Sequence, residues 1–500
     1  MHTPALHWIL TLVTVAVCCG TVQSQEAPQS EATEECLSCH AEVHPGIVGS
    51  WLRSRHATTT PEQAWQKGEQ ERRISTAEID SSLRYVQVGC YECHSLNTDR
   101  HADAFEHNGY TINIVVSPDD CASCHVTERE QFAQNIMAHA HTNLVDNSLY
   151  RDFMAAVNSP YHYGDGALAM GTSDSLTEAE SCLYCHGTRI TVKGLAVRET
   201  DYDDYEFPVL EGWPNQGVGR INPDGSKGAC SACHTRHDFS IETARKPYTC
   251  SECHKGPDVP AYKVYEVSKH GNIVSSHPDA IDFDAVPWTL GDDFTAPTCA
   301  VCHASLVVSP EGDVIAERSH RFNDRLAWRL FGVPYAHPHP VNADLRGIEN
   351  AAGLPIATEL DGTPVADAVI DADTQLQRRT TMKGICRGCH GTDWVDTHFR
   401  RLDNTIHRTN ALTLAGTRII SDVWAAGIAR GLPQNANIFD EDIERMWIDI
   451  WLFYANSTRF AAAMAGGGDY GVFANGRYQA TQQLYRLMET YRLRKQLGAK

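Results

Sequence analysis

Sixteen of the 18 cysteines in this 500-residue chain fall into eight pairs spaced i, i+3, and a histidine follows each pair at once. The pairs are Cys36/Cys39-His40, Cys90/Cys93-His94, Cys121/Cys124-His125, Cys182/Cys185-His186, Cys230/Cys233-His234, Cys250/Cys253-His254, Cys299/Cys302-His303 and Cys386/Cys389-His390. Composition alone predicts about 0.03 such pentapeptides in a chain of this length, so the set is not chance. One helical turn brings residues three apart onto one face, where two thiols can add to the two vinyl groups of one haem while the adjacent histidine coordinates the iron. Structural zinc needs no histidine after every cysteine pair, and thioredoxin-like redox pairs do not recur eight times. Disulfides are the default for an exported cysteine-rich chain, but here every mature cysteine belongs to a motif. The chemistry implied is covalent attachment of eight haem c groups, with the eight motif histidines as proximal iron ligands.

The elements that must position these motifs show no repeat. Successive first cysteines are 54, 31, 61, 48, 20, 49 and 87 residues apart. Haem is large and apolar, so the haems themselves are expected to form much of the core, with loops and short helices between them. The expected fold is mainly α: a haem-packed multihaem cytochrome c body with few strands over residues 25–390, then long C-terminal helices over 391–500, suited to oligomerisation. Thr111 to Val116 is the clearest short apolar run and predicts a strand. Ile443, Met446, Trp447, Ile450, Trp451 and Tyr454 repeat at helical spacing after Asp440 as a cap, with Glu441 and Asp442 in the first turn. Gly466-Gly467-Gly468 interrupts the chain, and Tyr478 to Arg494 resumes a helix with Leu484, Leu487, Met488 and Tyr491 on one side. The aromatic stripe reads as core packing between helices or subunits.

Charge and hydropathy bound the surroundings. Sixty-three acidic against 42 basic side chains leave a formal charge of −21, which disfavours nucleic acid and anionic lipid surfaces. Haem propionates would add to this charge and favour a basic electron-transfer partner. The first 24 residues read as an export signal, with an apolar run from Trp8 to Cys19 and Val22-Gln23-Ser24 as the cleavage site. Cys18 and Cys19 would leave with it. No other run approaches the eighteen or so apolar residues that span a bilayer, so the mature chain is expected to be soluble and periplasmic.

Discounting the proximal ligands and His2 and His7 leaves 15 of the 25 histidines, enough for a second axial ligand on every iron. Whether one iron stays open separates an enzyme from an electron conduit. At this point the sequence resembles a known family. CSACHTRHDFS (Cys230 to Ser240), CSECHKGPDVP (Cys250 to Pro260), YEVSKHGNI (Tyr265 to Ile273) and WLRSRHA (Trp51 to Ala57) are similar to segments of the octahaem hydroxylamine oxidoreductases, and the order of motifs agrees. The resemblance implies a catalytic haem on the fifth motif, held by Cys230, Cys233 and His234, and seven bis-histidine relays. By position it implies distal ligands His56, His107, His141, His237, His270 and His320, and a seventh from His407 or His398. His101 competes with His107, and His139 with His141.

Relatives that oxidise hydroxylamine or hydrazine carry an Asp-His pair after the sixth motif; here Asp258 is followed by Val259. A second hallmark is a tyrosine that bonds covalently to the catalytic haem of a neighbouring subunit, and GGGDYGVF (Gly466 to Phe473) makes Tyr470 the candidate. The resemblance thus implies a homotrimeric oxidoreductase acting on a small nitrogen compound, hydroxylamine first, with His234, Asp258 and Tyr470 as catalytic residues. Loss of the imidazole at Val259 motivates a reductive alternative, nitrite or hydroxylamine toward ammonia. The non-enzymatic alternative is an electron-transfer cytochrome with every iron six-coordinate.

Overall fold

A computed structural model describes residues 27–200 and 202–498. The export signal expected over residues 1–24 lies outside the described residues. Helix dominates, in many short pieces, because each motif needs only about one turn to bring its two thiols together. Cys90–His94, Cys182–His186 and Cys299–His303 are helices of five residues that contain the motif and nothing else. The first motif lies inside the helix Glu31–Val43, and the eighth starts at the end of Ala372–Arg387.

Side-chain caps fix several of these short helices. Ser117 accepts from the backbone N–H of Asp119 and Asp120, and Asp120 accepts from Ser117 N–H, which starts the third motif's helix at Pro118. At the second motif the buried carboxylate of Glu92 accepts from Gly89 N–H at 3.0 Å, Thr33 Oγ1 at 2.7 Å and Ser30 Oγ at 2.5 Å, which ties the first two motifs together.

Strands are few and short. The expected run from Thr111 begins one residue earlier: Tyr110–Asn113 pairs antiparallel with Ala104–His107. Two projecting hairpins were not evident in the sequence, Tyr161–Gly164 with Ala167–Met170 and Thr191–Glu199 with Asp204–Glu211. Both leave apolar side chains in solvent, among them Tyr163, Leu168, Leu195 and Val197, and of their four strands Asp204–Glu211 alternates, with Tyr205 against His107 and Phe207 against Phe105. The first turns through Asp165 (φ 52°) and Gly166 (φ 79°), the paired left-handed residues of a tight hairpin.

Beyond the eighth motif the molecule has a conventional core. Helices Thr392–Ala425 and Arg477–Gly498 pack on Asp442–Ile448 and on the segment that follows it. Ile420, Val423, Trp424, Ile443, Trp447, Ile450, Trp451 and Leu487 are all buried there, with the Trp424 and Trp447 rings edge to face at 5.7 Å. The aromatic stripe is therefore core. Its helix is not regular, since Asp449–Tyr454 is π-helical before Ala455–Ala463 resumes, and the N-cap residue is Glu441 instead of Asp440. Among the described residues no helix is long and apolar enough to cross a membrane.

Candidate haem and redox site

The haem-motif region encloses one continuous, mostly apolar cavity of about 1660 Å³. Thiols of the second to eighth motifs line it, from Cys93 to Cys389, together with the proximal histidines His125, His186, His234, His254, His303 and His390. The first motif lies beside this cavity. Cys36 and Cys39 are not among the lining residues, and Cys39 Sγ sits 3.7 Å from Ser38 Oγ on the exposed side of the helix Glu31–Val43. The reason is the helix itself, which is largely solvent-facing with Thr33 as its buried residue, so a haem on Cys36 and Cys39 would lie at the rim of the array. All sixteen thiols are unbonded, which removes the disulfide alternative for the described residues. Burial pushes the Cys93, Cys233 and Cys302 thiols up to about 12. No group of three or more His, Cys, Asp or Glu among the described residues converges as a metal cluster would.

The histidines fit haem iron instead. Two imidazoles bound trans through one ion at about 2.0–2.1 Å each leave ring centroids about 6 Å apart. Four pairs meet this: His40 and His107 at 6.1 Å, His56 and His125 at 6.3 Å, His234 and His320 at 6.3 Å, and His270 and His390 at 6.1 Å. Several rings are oriented by a bond from the other nitrogen, as metal-binding imidazoles usually are. His94 Nδ1 lies 2.7 Å from Asn113 O, and His186 Nδ1 lies 3.2 Å from Ala140 O. Each leaves Nε2 free.

Thiols of different motifs also lie side by side. Cys121 acts on Cys230, Cys185 on Cys253, and Cys250 on Cys299. Electrostatic contact further couples Cys36 with Cys90, Cys93 with Cys124, Cys233 with Cys250, and Cys302 with Cys386. The motifs therefore run in space as first, second, third, fifth, sixth, seventh and eighth, and the fourth branches from the sixth.

The fourth and fifth motifs differ most. His234, expected beneath an open iron, faces the imidazole of His320, nearly parallel at 29°. The Asp258 carboxylate acts electrostatically on Cys182, Cys185 and His186 of the fourth motif and on His254 of the sixth. Burial lowers the pKa of His186, against the raising effects of its bond to Ala140 O and of Asp258. Arg329 and His141 also act on His186, both lowering it; Arg329 Nη1 is buried without a partner and its guanidinium lies 4.9 Å from the Phe331 ring centre. Asp258 and Val259 both line the cavity. Gly187, directly after the fourth motif, has φ 89°, and a Cβ there would meet Arg220 N at 2.3 Å, so only glycine lets the chain turn so close.

Other expected ligands fall unevenly. His101 has both nitrogens engaged, Nδ1 with Asp103 at 3.0 Å and Nε2 with Asp120 at 3.2 Å, and is buried between them. That leaves His107 to face His40. His139 is likewise occupied, with Nε2 2.9 Å from Ala133 O, whereas His141 bonds Gly187 O through Nδ1 at 2.7 Å and keeps Nε2 free. His237 couples electrostatically with His94. His407 is exposed with its ring against Trp328, while His398 lines the cavity behind Trp394, which stacks on His390 at 4.1 Å. Tyr470 is half-buried, accepts a bond from Asn475 Nδ2 at 3.3 Å and is not among the cavity-lining residues. The sequence reading missed His337 and His339. Both are buried, with Nδ1 held by Pro338 O and Pro340 O, and His339 lines the cavity. The alternation His337-Pro338-His339-Pro340 was the available signal.

Fold and site together define a multihaem c-type cytochrome, with haem attached covalently through Cys-x-x-Cys-His motifs. A family model described as "seven times multi-haem cytochrome CxxCH" matches residues 223–323. A solved structure of a hypothetical multiheme protein is 40% identical, covering 96% of this chain and all of that one, with a TM-score of 0.88. A probable nitrite reductase-hydroxylamine oxidoreductase fusion protein of Kuenenia stuttgartiensis is 25% identical over 73% of this chain. The chain spans about a third (35%) of that relative's length. The reducing HAO-like protein complex of the same organism shares the fold, at 19% identity and a TM-score of 0.62 over 94% of this chain and 86% of that one. The chain belongs with the multihaem proteins that this 40% identical structure represents.

Proposed function

We propose that the chain is an exported octahaem oxidoreductase that acts on a small nitrogen compound, hydroxylamine, at an iron carried by the fourth motif. The observation that carries this reading is the electrostatic action of Asp258 on Cys182, Cys185 and His186, set against the imidazole of His320 opposite His234. It moves the reaction centre from the fifth motif, where the family resemblance put it, to the fourth. A haem held there by Cys182, Cys185 and His186 would supply small-ligand binding and one-electron exchange.

The chain's own residues supply the rest. His186 is the proximal ligand, held in orientation by Ala140 O. Asp258 accepts the protons that hydroxylamine sheds, as a carboxylate near the reacting atoms can. Cys250, Cys253 and His254 of the sixth motif, next to the fourth through Cys253 and Cys185, would hold the haem that takes up the electrons. The bis-histidine partners of the relays are His56, His107, His270 and His320, with His141, His237 and one of His398, His407, His337 or His339 serving the remaining irons. Tyr470 lies off the cavity of its own chain, which suits a link to the haem of a neighbouring subunit in a homotrimer. A basic electron-transfer protein is the partner outside.

The reductive reading, nitrite or hydroxylamine toward ammonia, is favoured by Val259 where an imidazole would assist oxidation, and by Arg329 near His186, which suits an anion. Carbon monoxide titration of the reduced holoprotein, with steady-state assays in both directions, tests the proposal. One CO bound per chain and oxidation of hydroxylamine are expected. Reduction alone selects the second reading, and no CO binding leaves an electron conduit.

A further inference from the structure

Asp258 belongs to the turn Gly256-Pro257-Asp258, and its side chain is exposed toward the cavity. Its main chain is gripped from the C-terminal helical region. In the helix Ala455–Ala463, Asn456 is fully buried and its Nδ2 donates to the backbone oxygen of Asp258 at 2.8 Å. Its Oδ1 accepts from Arg459 Nη1 at 3.1 Å. Arg459 is also fully buried, and donates to Leu330 O at 3.2 Å and to Asn410 Oδ1 at 2.8 Å.

These bonds fix which way the amide points. A guanidinium has donors only, so the amide oxygen must face Arg459 and the NH2 must face Asp258 O. Leu330 follows Arg329, so the same guanidinium holds the segment that brings the second charge near His186. Asn410, on the helix Thr392–Ala425, bonds both N–H and C=O of Ala336 at 3.1 and 2.8 Å and anchors the network to the C-terminal core.

We propose that Asn456, oriented by Arg459, is a positioning residue that holds Asp258 over the fourth motif. This rests on the reading of Asp258 as the proton acceptor. Asn456 touches neither substrate nor haem, and it acts through the main chain of the turn. A displacement of about 1 Å in a catalytic group can cost on the order of 100-fold in rate.

Asn456→Asp is the informative variant, because it keeps Arg459 paired but turns an acceptor toward Asp258 O. In the holoprotein, kcat with hydroxylamine is expected to fall about 10- to 100-fold with KM and haem content unchanged. Combined with Asp258→Asn, it should cost nothing further, since both changes disable the same group. Equal losses in the two backgrounds would show general destabilisation and overturn the proposal, as would unchanged kcat in Asn456→Asp alone. Hydrogen exchange across residues 255–260 reads the turn without any assay. Faster exchange in Asn456→Asp supports the grip and unchanged exchange overturns it, whereas full activity in Asp258→Asn overturns the role of Asp258 and leaves the exchange result standing on its own.

Discussion

The fourth and fifth motifs obey one five-residue rule and sit in opposite surroundings. His234 faces a second imidazole, that of His320, at 6.3 Å. His186 has a carboxylate and a guanidinium acting on it and a glycine turn directly behind it. The difference lies wholly in what distant segments bring: residue 320 to one site, residues 258 and 329 to the other. Attachment and coordination are therefore separate problems, the first solved within five residues and the second by the fold.

The contrast can be broken most drastically by opening the closed site. His320→Gly should raise carbon monoxide bound per reduced chain from one to two and add a high-spin ferric signal. A stoichiometry that stays at one would mean that His320 does not cap the fifth motif. The reverse change acts on the open site: Asp258→Asn should lower turnover by about 100-fold or more while CO binding stays at one per chain. Full turnover would return the reaction centre to another motif.

The first motif extends the comparison. His107→Ala should open the iron beside His40, whereas His101→Asn should leave every spectrum unchanged and destabilise the fold by on the order of 3 kcal/mol, because it strips a buried cation from Asp103 and Asp120. Burial pulls His101 down, but bonds to Asp103 and Asp120 outweigh it and lift the pKa from 6.5 to about 10. Its folded value exceeds its unfolded one, so the stability it contributes is complete below 6.5 and is lost as pH rises toward 10. Thermal unfolding of both variants against pH checks this.

Glu444, in the C-terminal core far from both motifs, should leave the contrast untouched. Burial raises it from 4.5 to about 7, with Trp424 Nε1 bonded to Oε1 at 2.7 Å. The folded state holds this proton more tightly, so stability falls as pH rises from 4.5 to about 7, and Glu444→Gln should flatten that slope without altering CO stoichiometry or turnover.

Legibility followed range. The thioether and proximal positions, the amphipathic stripe from Ile443 and the glycine break at 466–468 were readable because each signal lies within a few residues. His56, His107, His270 and His320 followed from resemblance, and the geometry pairs each with a motif histidine. His101 and His139 could not be separated from their neighbours in sequence, because what disqualifies them is a bond to Asp103, Asp120 or Ala133 O. The rim position of Cys39 was equally hidden, since its pentapeptide is built like the other seven and only the solvent-facing helix around it differs. The two hairpins escaped for a different reason: three of their four strands are largely exposed on both faces, and in the fourth Tyr205 and Phe207 meet their partners only in the distant His107 and Phe105.

By itself the sequence determined that this chain binds haem covalently, through which cysteines and with which histidines beneath the iron. Thioether attachment and proximal ligation are local, set by one turn of helix. Only the tertiary structure decided which irons are capped and where a carboxylate waits. Those partners lie as much as 120 residues from the motif they serve (His270 to His390), and nothing in a local pattern encodes what a folded chain brings within 6.1 Å.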